Sequence, residues 1–126
     1  MITLSPITNI DELKSFYLQH NKSIKNSSGC VVAKSGNDVL GYCFYDLFTD
    51  KIVIDALYPI DDLMFADGVL RSTLHVADCR GITSAYYTEN APENAFEKLD
   101  FILNKGKKSL KIEKLHQSCA GCAKNQ

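Results

Sequence analysis

The feature that most constrains how this chain can fold is a change in the period of its apolar residues near position 60. Between residues 30 and 58, three β-rich runs follow one another, joined by tight turns at 35–38 and 49–50. From residue 61 to 80 the apolar residues recur instead with helical spacing, at Leu63, Ala66, Leu70, Leu74 and Ala77. An antiparallel meander that gives way to a long amphipathic helix predicts an α/β fold.

Shorter patterns on either side complete the predicted order of elements. They are a strand at 2–5, a helix from a capping box at Thr8 to about His20, a strand at 82–88, a short helix capped by Asn90 and ending at Leu99, and closing strands at 101–103 and 109–115. The full order is β-α-β-β-β-α-β-α-β-β. Its helical crossover adds a parallel pair to an otherwise antiparallel sheet, so the sheet is predicted to be mixed.

The length and composition narrow the classes of protein to consider. The chain has 126 residues, which suits one domain, and we expect a folded unit over 1–115 and a tail over 116–126. No apolar run approaches the ~18 residues of a membrane helix, and no basic-then-apolar leader is present. These features favour a cytoplasmic protein with no membrane partner. The net charge of −1 indicates no nucleic-acid partner.

Four phrases along the chain carry a family resemblance. They are Val32 to Tyr42 in the predicted second and third strands, Leu57-Tyr58-Pro59 at the end of the fourth, Leu70 to Gly81 in the central helix, and Asn90 to Phe101 in the last helix and following strand. In this order and at these spacings the phrases resemble the GNAT superfamily of N-acetyltransferases. The resemblance covers most of residues 1–115 and implies a mixed, mostly antiparallel sheet flanked by helices.

The resemblance also implies an activity and a site. Members transfer an acetyl or other acyl group from coenzyme A to an amine, here of a small molecule or a peptide. The implied general base is Asp55 in the fourth strand. Many members use a tyrosine of the last helix as the general acid that protonates the leaving thiolate, and Phe96 stands at that position here. The candidates for the general acid are therefore Tyr86 and Tyr87. The implied contacts with acetyl-CoA or another acyl-CoA are Leu57, Tyr58, Asp67, Gly68, Val69 and Asn90.

The loop that should bind the pyrophosphate of coenzyme A departs from the family pattern. Such a loop needs glycines so that backbone amides can approach the phosphates, but only Gly68 remains in the segment 60–68. The carboxylates of Asp61, Asp62 and Asp67 lie there instead. We expect Asp61 or Asp62 to cap a helix that starts about one turn early. Because a carboxylate would then use the amides that bind phosphate, an inactive binding or regulatory module is the alternative function.

The carboxyl-terminal residues offer a second candidate site. His116, Cys119 and Cys122 have spacings that allow them to share a tetrahedral zinc, with a fourth ligand from Cys79 or from a second subunit of a homodimer. The Cys-x-x-Cys pair also suits a reversible dithiol, or it has no function. The odd total of five cysteines argues against a disulfide framework.

Overall fold

Seven strands form one mixed sheet in the computed structural model, which describes residues 1–116. The strands are β1 (Ile2–Pro6), β2 (Ser28–Ser35), β3 (Asp38–Leu47), β4 (Ile52–Tyr58), β5 (Ala85–Tyr87), β6 (Ile102–Asn104) and β7 (Ser109–Leu110), and the helices are α1 (Ile10–Gln19), α2 (Leu63–Asp78) and α3 (Glu93–Lys98). The sheet order is β1-β2-β3-β4-β5-β7-β6, with β4 and β5 as its parallel pair. The predicted class and order of elements are confirmed.

The two long helices begin at side-chain caps. The carboxylate of Asp62 accepts a hydrogen bond from the amide of Phe65 at 3.2 Å, so α2 starts where its first apolar residues predict. In α1 the cap is Asn9, whose Oδ1 accepts from the amide of Glu12 at 3.0 Å. The prediction that Thr8 caps this helix was therefore wrong by one residue, because the amide side chain of Asn9 fills the same role.

Each face of the sheet buries its own core. On one face α2 packs with four of its five predicted stripe residues fully buried, namely Ala66, Leu70, Leu74 and Ala77. On the other face α1 covers a smaller core made of Leu13, Tyr17, Cys30, Val32 and Phe44. The hydroxyl of Tyr17 donates to the carbonyl oxygen of Gly29 at 2.7 Å, which ties α1 to the start of β2.

The parallel strands β4 and β5 separate halfway along β4. They pair only where Ile52–Ile54 meets Ala85–Tyr87, and the amide of Thr88 then donates to the carbonyl of Ile54 at 3.0 Å. The register between β3 and β4 shifts at the same level, which leaves Asp55 as the extra residue of a β-bulge. A fork therefore opens in the middle of the sheet, with Asp55 at its base.

Candidate functional site

Asp55 is held at the base of the fork by two side-chain donors. Lys22 Nζ lies 2.6 Å from Oδ2, and the hydroxyl of Thr88 donates to Oδ1 at 2.9 Å. The bulge sets this arrangement, because the extra residue turns the carboxylate toward the face of the sheet that α1 covers. The site thus joins the α1–β2 loop, β4 and the residue that follows β5.

The donors around Asp55 keep it ionised. Burial alone raises the pKa of a carboxyl group, but here the hydrogen bonds from Lys22 and Thr88, the charge of Lys22 and a contribution from Asn90 outweigh it. The pKa of Asp55 is therefore lowered below its ordinary value. At neutral pH this side chain is a carboxylate that binds a cation well and accepts a proton poorly.

Lys22 is placed by the way α1 ends. The amide of Asn21 donates to the carbonyl of Leu18 at 3.0 Å, the amide of Lys22 donates to the carbonyl of Tyr17 at 2.9 Å, and Asn21 has a φ of 56°. This is the Schellman pattern, which satisfies the last carbonyls of a helix and fixes the direction of the next residues. The backbone of Lys22 is thereby fixed while its long side chain reaches Asp55.

A polar cavity of about 380 Å³ opens onto the Lys22–Asp55 pair. Asp46 contributes a second carboxylate to its wall, and Ser27 donates to this group at 2.8 Å. The side chains of Lys22 and Asp55 are 24% and 26% exposed, so the pair is accessible from the cavity. Small polar molecules can therefore reach the ion pair.

Asn90 joins this cavity and does not cap α3. Its backbone amide donates to the hydroxyl of Thr88 at 3.2 Å, and it lines the same cavity as Asp55. Helix α3 begins after Pro92, which makes no side-chain capping bond. The prediction that Asn90 caps the helix was wrong because the turn after β5 holds Asn90 against Thr88.

The two candidate tyrosines lie on opposite faces of β5. Tyr87 is 3% exposed, and its hydroxyl donates to Glu93 Oε2 at 2.6 Å. Burial, together with Glu93, raises the pKa of Tyr87 to about 12. Tyr86 lines a separate cavity beside Val53, outside the Asp55 cavity. Phe96 is fully buried against Tyr87, with ring centroids 5.1 Å apart.

The predicted acyl contacts at the end of β4 differ in exposure. Leu57 is buried in the larger core, whereas Tyr58 is 51% exposed and stacks on Tyr42 with ring centroids 5.2 Å apart. A glycine at position 41 is needed beside them, because a Cβ there would lie 2.8 Å from the carbonyl oxygen of Tyr58 and 3.2 Å from the ring of Phe65. This close approach sets the position of the β4–α2 junction.

The start of α2 lies one turn before the predicted phosphate contacts. The helix begins at Leu63, so the first-turn amides of Leu63 and Met64 have no acceptor inside the helix. The side chain of Met64 is 89% exposed and leaves the helix end open. These two amides are the ones that an anion at the start of α2 would meet, although the carboxylate of Asp62 already accepts from Phe65.

Asp67, Gly68 and Val69 lie in the second turn of α2. At that depth the amides of an α-helix donate to carbonyls four residues earlier. Asp67 pairs with Arg71 at 2.8 Å, Val69 is fully buried, and the Cα of Gly68 faces Leu4 of β1. The structure therefore places these three residues against neighbouring side chains and not at the open end of the helix.

A cleft of about 530 Å³ lies between the β4–α2 junction and α3. Ile60 forms one wall, and Ala91, Pro92, Glu93 and Lys98 contribute to the other. Glu93 is the residue of this lining that accepts the hydrogen bond of the buried Tyr87. The cleft is open, and neither Met64 nor Phe65 lines it.

The predicted metal ligands are only partly within the described residues. His116 Nε2 lies 2.9 Å from Asp78 Oδ1 at the end of α2, while Cys119 and Cys122 lie outside residues 1–116. Nearby, the thiol of Cys79 lies 3.2 Å from His75 Nε2. Within the described part of the chain, no cluster of three or more His, Cys, Asp or Glu side chains could hold a metal ion.

Sequence reasoning missed the partners that give the site its charge and shape. Lys22 lies in a polar loop 33 residues before Asp55 and has no local pattern that marks it. Thr88 could have been found, because it is the last residue of the strand predicted at 82–88, which the helical crossover pairs with the meander. Glu93 could not be predicted from the sequence, because only the structure shows that Tyr87 points toward α3.

A mixed sheet that forks after its single parallel pair, with a capped helix leading out of the fork, defines the GNAT fold. No protein-family model matches the sequence, and no curated protein matches it significantly. Solved structures do match, and they show that this chain has the GNAT fold. Among residues 1–116, no helix is long and apolar enough to cross a membrane.

Three of the matching structures illustrate the likeness. A ribosomal-protein-alanine N-acetyltransferase from Brucella melitensis biovar Abortus 2308 matches 79% of this chain and 89% of its own, with TM-score 0.55 and 12% identity. A GNAT family acetyltransferase from Elizabethkingia anophelis with acetyl-CoA bound matches 79% and 72%, with TM-score 0.53 and 15% identity. The AtaT toxin, as a mutant bound to the C-terminus of the antitoxin AtaR, matches 92% and 95%, with TM-score 0.56 and 12% identity. At these identities the likeness concerns the fold alone.

Proposed function

We propose that this protein is an acyl-CoA-dependent N-acyltransferase that acylates an amine bound at Asp55. The observation that carries the proposal is the ionised carboxylate at the fork of a GNAT-fold sheet, with an ammonium group already on it at 2.6 Å. A neighbour of the same fold has acetyl-CoA bound, which supports an acyl-CoA as the donor. The acceptor is an amine of a small molecule or a peptide.

Backbone groups at the end of β4 and the start of α2 suit an acyl-CoA, whereas the carboxylate of Asp62 does not. Beyond Ile54, the edge of β4 that turns toward β5 has no strand partner within residues 1–116, so backbone groups at Leu57 and Tyr58 are available for an acyl carbonyl. The amides of Leu63 and Met64 are placed for a phosphate. The carboxylate of Asp62 opposes an anion there, so we expect weak binding. The bound coenzyme A thioester would supply the activated acyl group.

The chain's own groups then handle the amine and its protons. Asp55 orients the incoming amine and holds a water that passes the proton of the amine to solvent, since its lowered pKa makes Asp55 a poor proton acceptor. The amine nitrogen forms the amide bond as the carbon–sulfur bond breaks. The pKa of Tyr87, about 12, lies above the ~8.5 of an ordinary thiol, so Tyr87 is a poor proton donor to the leaving thiolate. We therefore assign Tyr87 the positioning of Glu93, and the thiolate takes its proton from water. Tyr86 is a weaker candidate than water for the general acid, since it lines a cavity other than that of Asp55.

An acetyl-transfer assay with mass-spectrometric detection tests the proposal. The full chain is incubated with acetyl-CoA and n-butylamine, and the N-butylacetamide formed is measured. We expect Asp55→Asn to lower the rate by about a hundredfold, the usual effect of losing a group that manages proton transfer. Asp38→Asn, at the exposed first residue of β3, serves as the matched control with unchanged rate. No product from the wild type, or equal rates in Asp55→Asn, would contradict the proposal.

A second candidate function belongs to the C-terminal cysteines. His116 lies against Asp78, so the described part of the chain ends beside Cys79 and its partner His75. We propose that Cys119 and Cys122 bind zinc or form a reversible dithiol, with the fold as an inactive binding module. Elemental analysis of protein purified without chelator should find about one zinc per chain, and Cys119→Ser/Cys122→Ser should abolish it. The redox form predicts loss of two free thiols on mild oxidation. If the protein contains no zinc and loses no thiols on mild oxidation, the tail has neither of these two roles.

A further inference from the structure

The Lys22–Asp55 pair differs from an ion pair that merely supports the fold. Its two side chains are about one-quarter exposed and border a cavity of about 380 Å³. The pair lies at the fork of the sheet and not within one of the two cores. It is therefore positioned where an incoming molecule can meet both partners.

The Lys22 ammonium group lies between a carboxylate and an aromatic ring. The carboxylate of Asp55 lies 2.6 Å from Nζ, and the ring of Phe44 lies below it, with its centroid 5.2 Å from Nζ. An anionic oxygen combined with an aromatic face binds an alkylammonium group well. Lys22 itself presents such a group on an unbranched four-carbon chain.

The Asp55 site does not need Lys22 in order to keep its shape. The hydroxyl of Thr88 holds the other oxygen of Asp55 at 2.9 Å, and the bulge in β4 sets the backbone. The backbone of Lys22 is held separately by the end of α1. The Lys22 side chain can therefore leave Asp55 by rotating about its own bonds, without unfolding either element.

From this arrangement we infer that the Asp55 site binds a primary alkylammonium group and that Lys22 occupies it in the free protein as an internal competitor. This rests on the proposed function, and it names the acceptor class as primary amines on an unbranched chain. An acceptor enters by displacing the Lys22 side chain. Because only the unoccupied fraction of the site binds a ligand, occupancy by Lys22 lowers the apparent affinity.

Binding of n-butylammonium chloride to the full chain, without any acyl-CoA, tests the inference. If Lys22 fills the site about 90% of the time, Lys22→Met tightens binding by about tenfold. Lys22→Gln repeats the test with a polar side chain, in case methionine disturbs folding. Lys25→Met is the matched control, since Lys25 lines the same cavity without contacting Asp55, and we expect unchanged affinity. Adding Asp55→Asn to Lys22→Met should abolish binding.

The outcomes separate this inference from the proposed function. Equal affinity in the wild type and both Lys22 variants would overturn the inference, and so would equally tight binding of n-butanol. Because the titration contains no acyl donor, a failure to transfer acetyl groups would not affect it. Conversely, acetylation of n-butylamine at a rate that does not change in Lys22→Met would support the proposed function and contradict the role of Lys22.

Discussion

Replacing Lys22 with methionine should destabilise the protein by an amount that depends on pH. The change removes the Nζ that lies 2.6 Å from Asp55 and keeps most of the apolar stem. An exposed ion pair contributes at most about 1 kcal/mol, and a charge-assisted hydrogen bond about 1.5–3 kcal/mol. Since both side chains are about one-quarter exposed, we expect a loss of roughly 1–2 kcal/mol in the free energy of unfolding at pH 7.

The direction of the pH dependence follows from the pKa of Asp55. In the wild type this pKa is lowered below the ordinary value of 3.8, so Asp55 contributes stability above that value, and the contribution is lost as the pH falls through the folded-state pKa. In Lys22→Met the largest lowering influence is gone while burial remains, so the pKa of Asp55 rises relative to the wild type. The difference between the two proteins should therefore be largest at pH 7 and should shrink as the pH falls below 4.

Urea denaturation followed by circular dichroism measures this difference at pH 7 and at the lowest pH where both proteins stay folded. Lys25→Met controls for the loss of one positive charge from the same cavity, and its effect should stay small at every pH. The reasoning would be refuted if Lys22→Met cost the same free energy at both pH values, because the loss would then come from packing alone.

Three further predictions follow from buried contacts elsewhere in the fold. Gly41→Ala should lower the free energy of unfolding by about 1–3 kcal/mol in chemical denaturation, since its Cβ would meet the carbonyl of Tyr58 at 2.8 Å; an unchanged midpoint would contradict this. Tyr87→Phe should cost about 1–2 kcal/mol in the same assay because a 2.6 Å hydrogen bond is lost, whereas a neutral result would mean that this bond adds nothing. Peptide-mapped alkylation at pH 7 should label exposed Cys79 and spare Cys43, whose pKa burial raises to about 12, and labelling of Cys43 in the native state would show that its core opens.

The fold could be predicted from sequence because its strongest signals are periodic. The meander over 30–58 and the stripe of α2 depend on contacts close in sequence, and both are found as expected. Helix α2 is capped by Asp62, one of the two aspartates predicted for this role, because a carboxylate just before an apolar helical run can accept from the first-turn amides. The caps of α1 and α3 were wrong because several polar residues compete there, and tertiary contacts decide among them.

The site could be predicted only as far as the resemblance reached. Asp55 could be predicted because the resemblance implies a general base in the fourth strand, but nothing local indicates that a bulge turns it toward Lys22. The pairing of Tyr87 with Glu93 likewise depends on how α3 packs over β5. Such contacts join residues that the chain brings together only when it folds, so a single sequence carries no pattern for them.

Titration calorimetry with acetyl-CoA tests the central claim most directly, namely that this GNAT-fold protein binds an acyl-CoA. We expect saturable heat with a Kd below about 1 mM, and a Kd about two- to fivefold lower for Asp62→Asn, which keeps a helix cap while removing a charge near the proposed phosphate site. A titration without saturable heat up to about 1 mM, in both the wild type and Asp62→Asn, would contradict the claim.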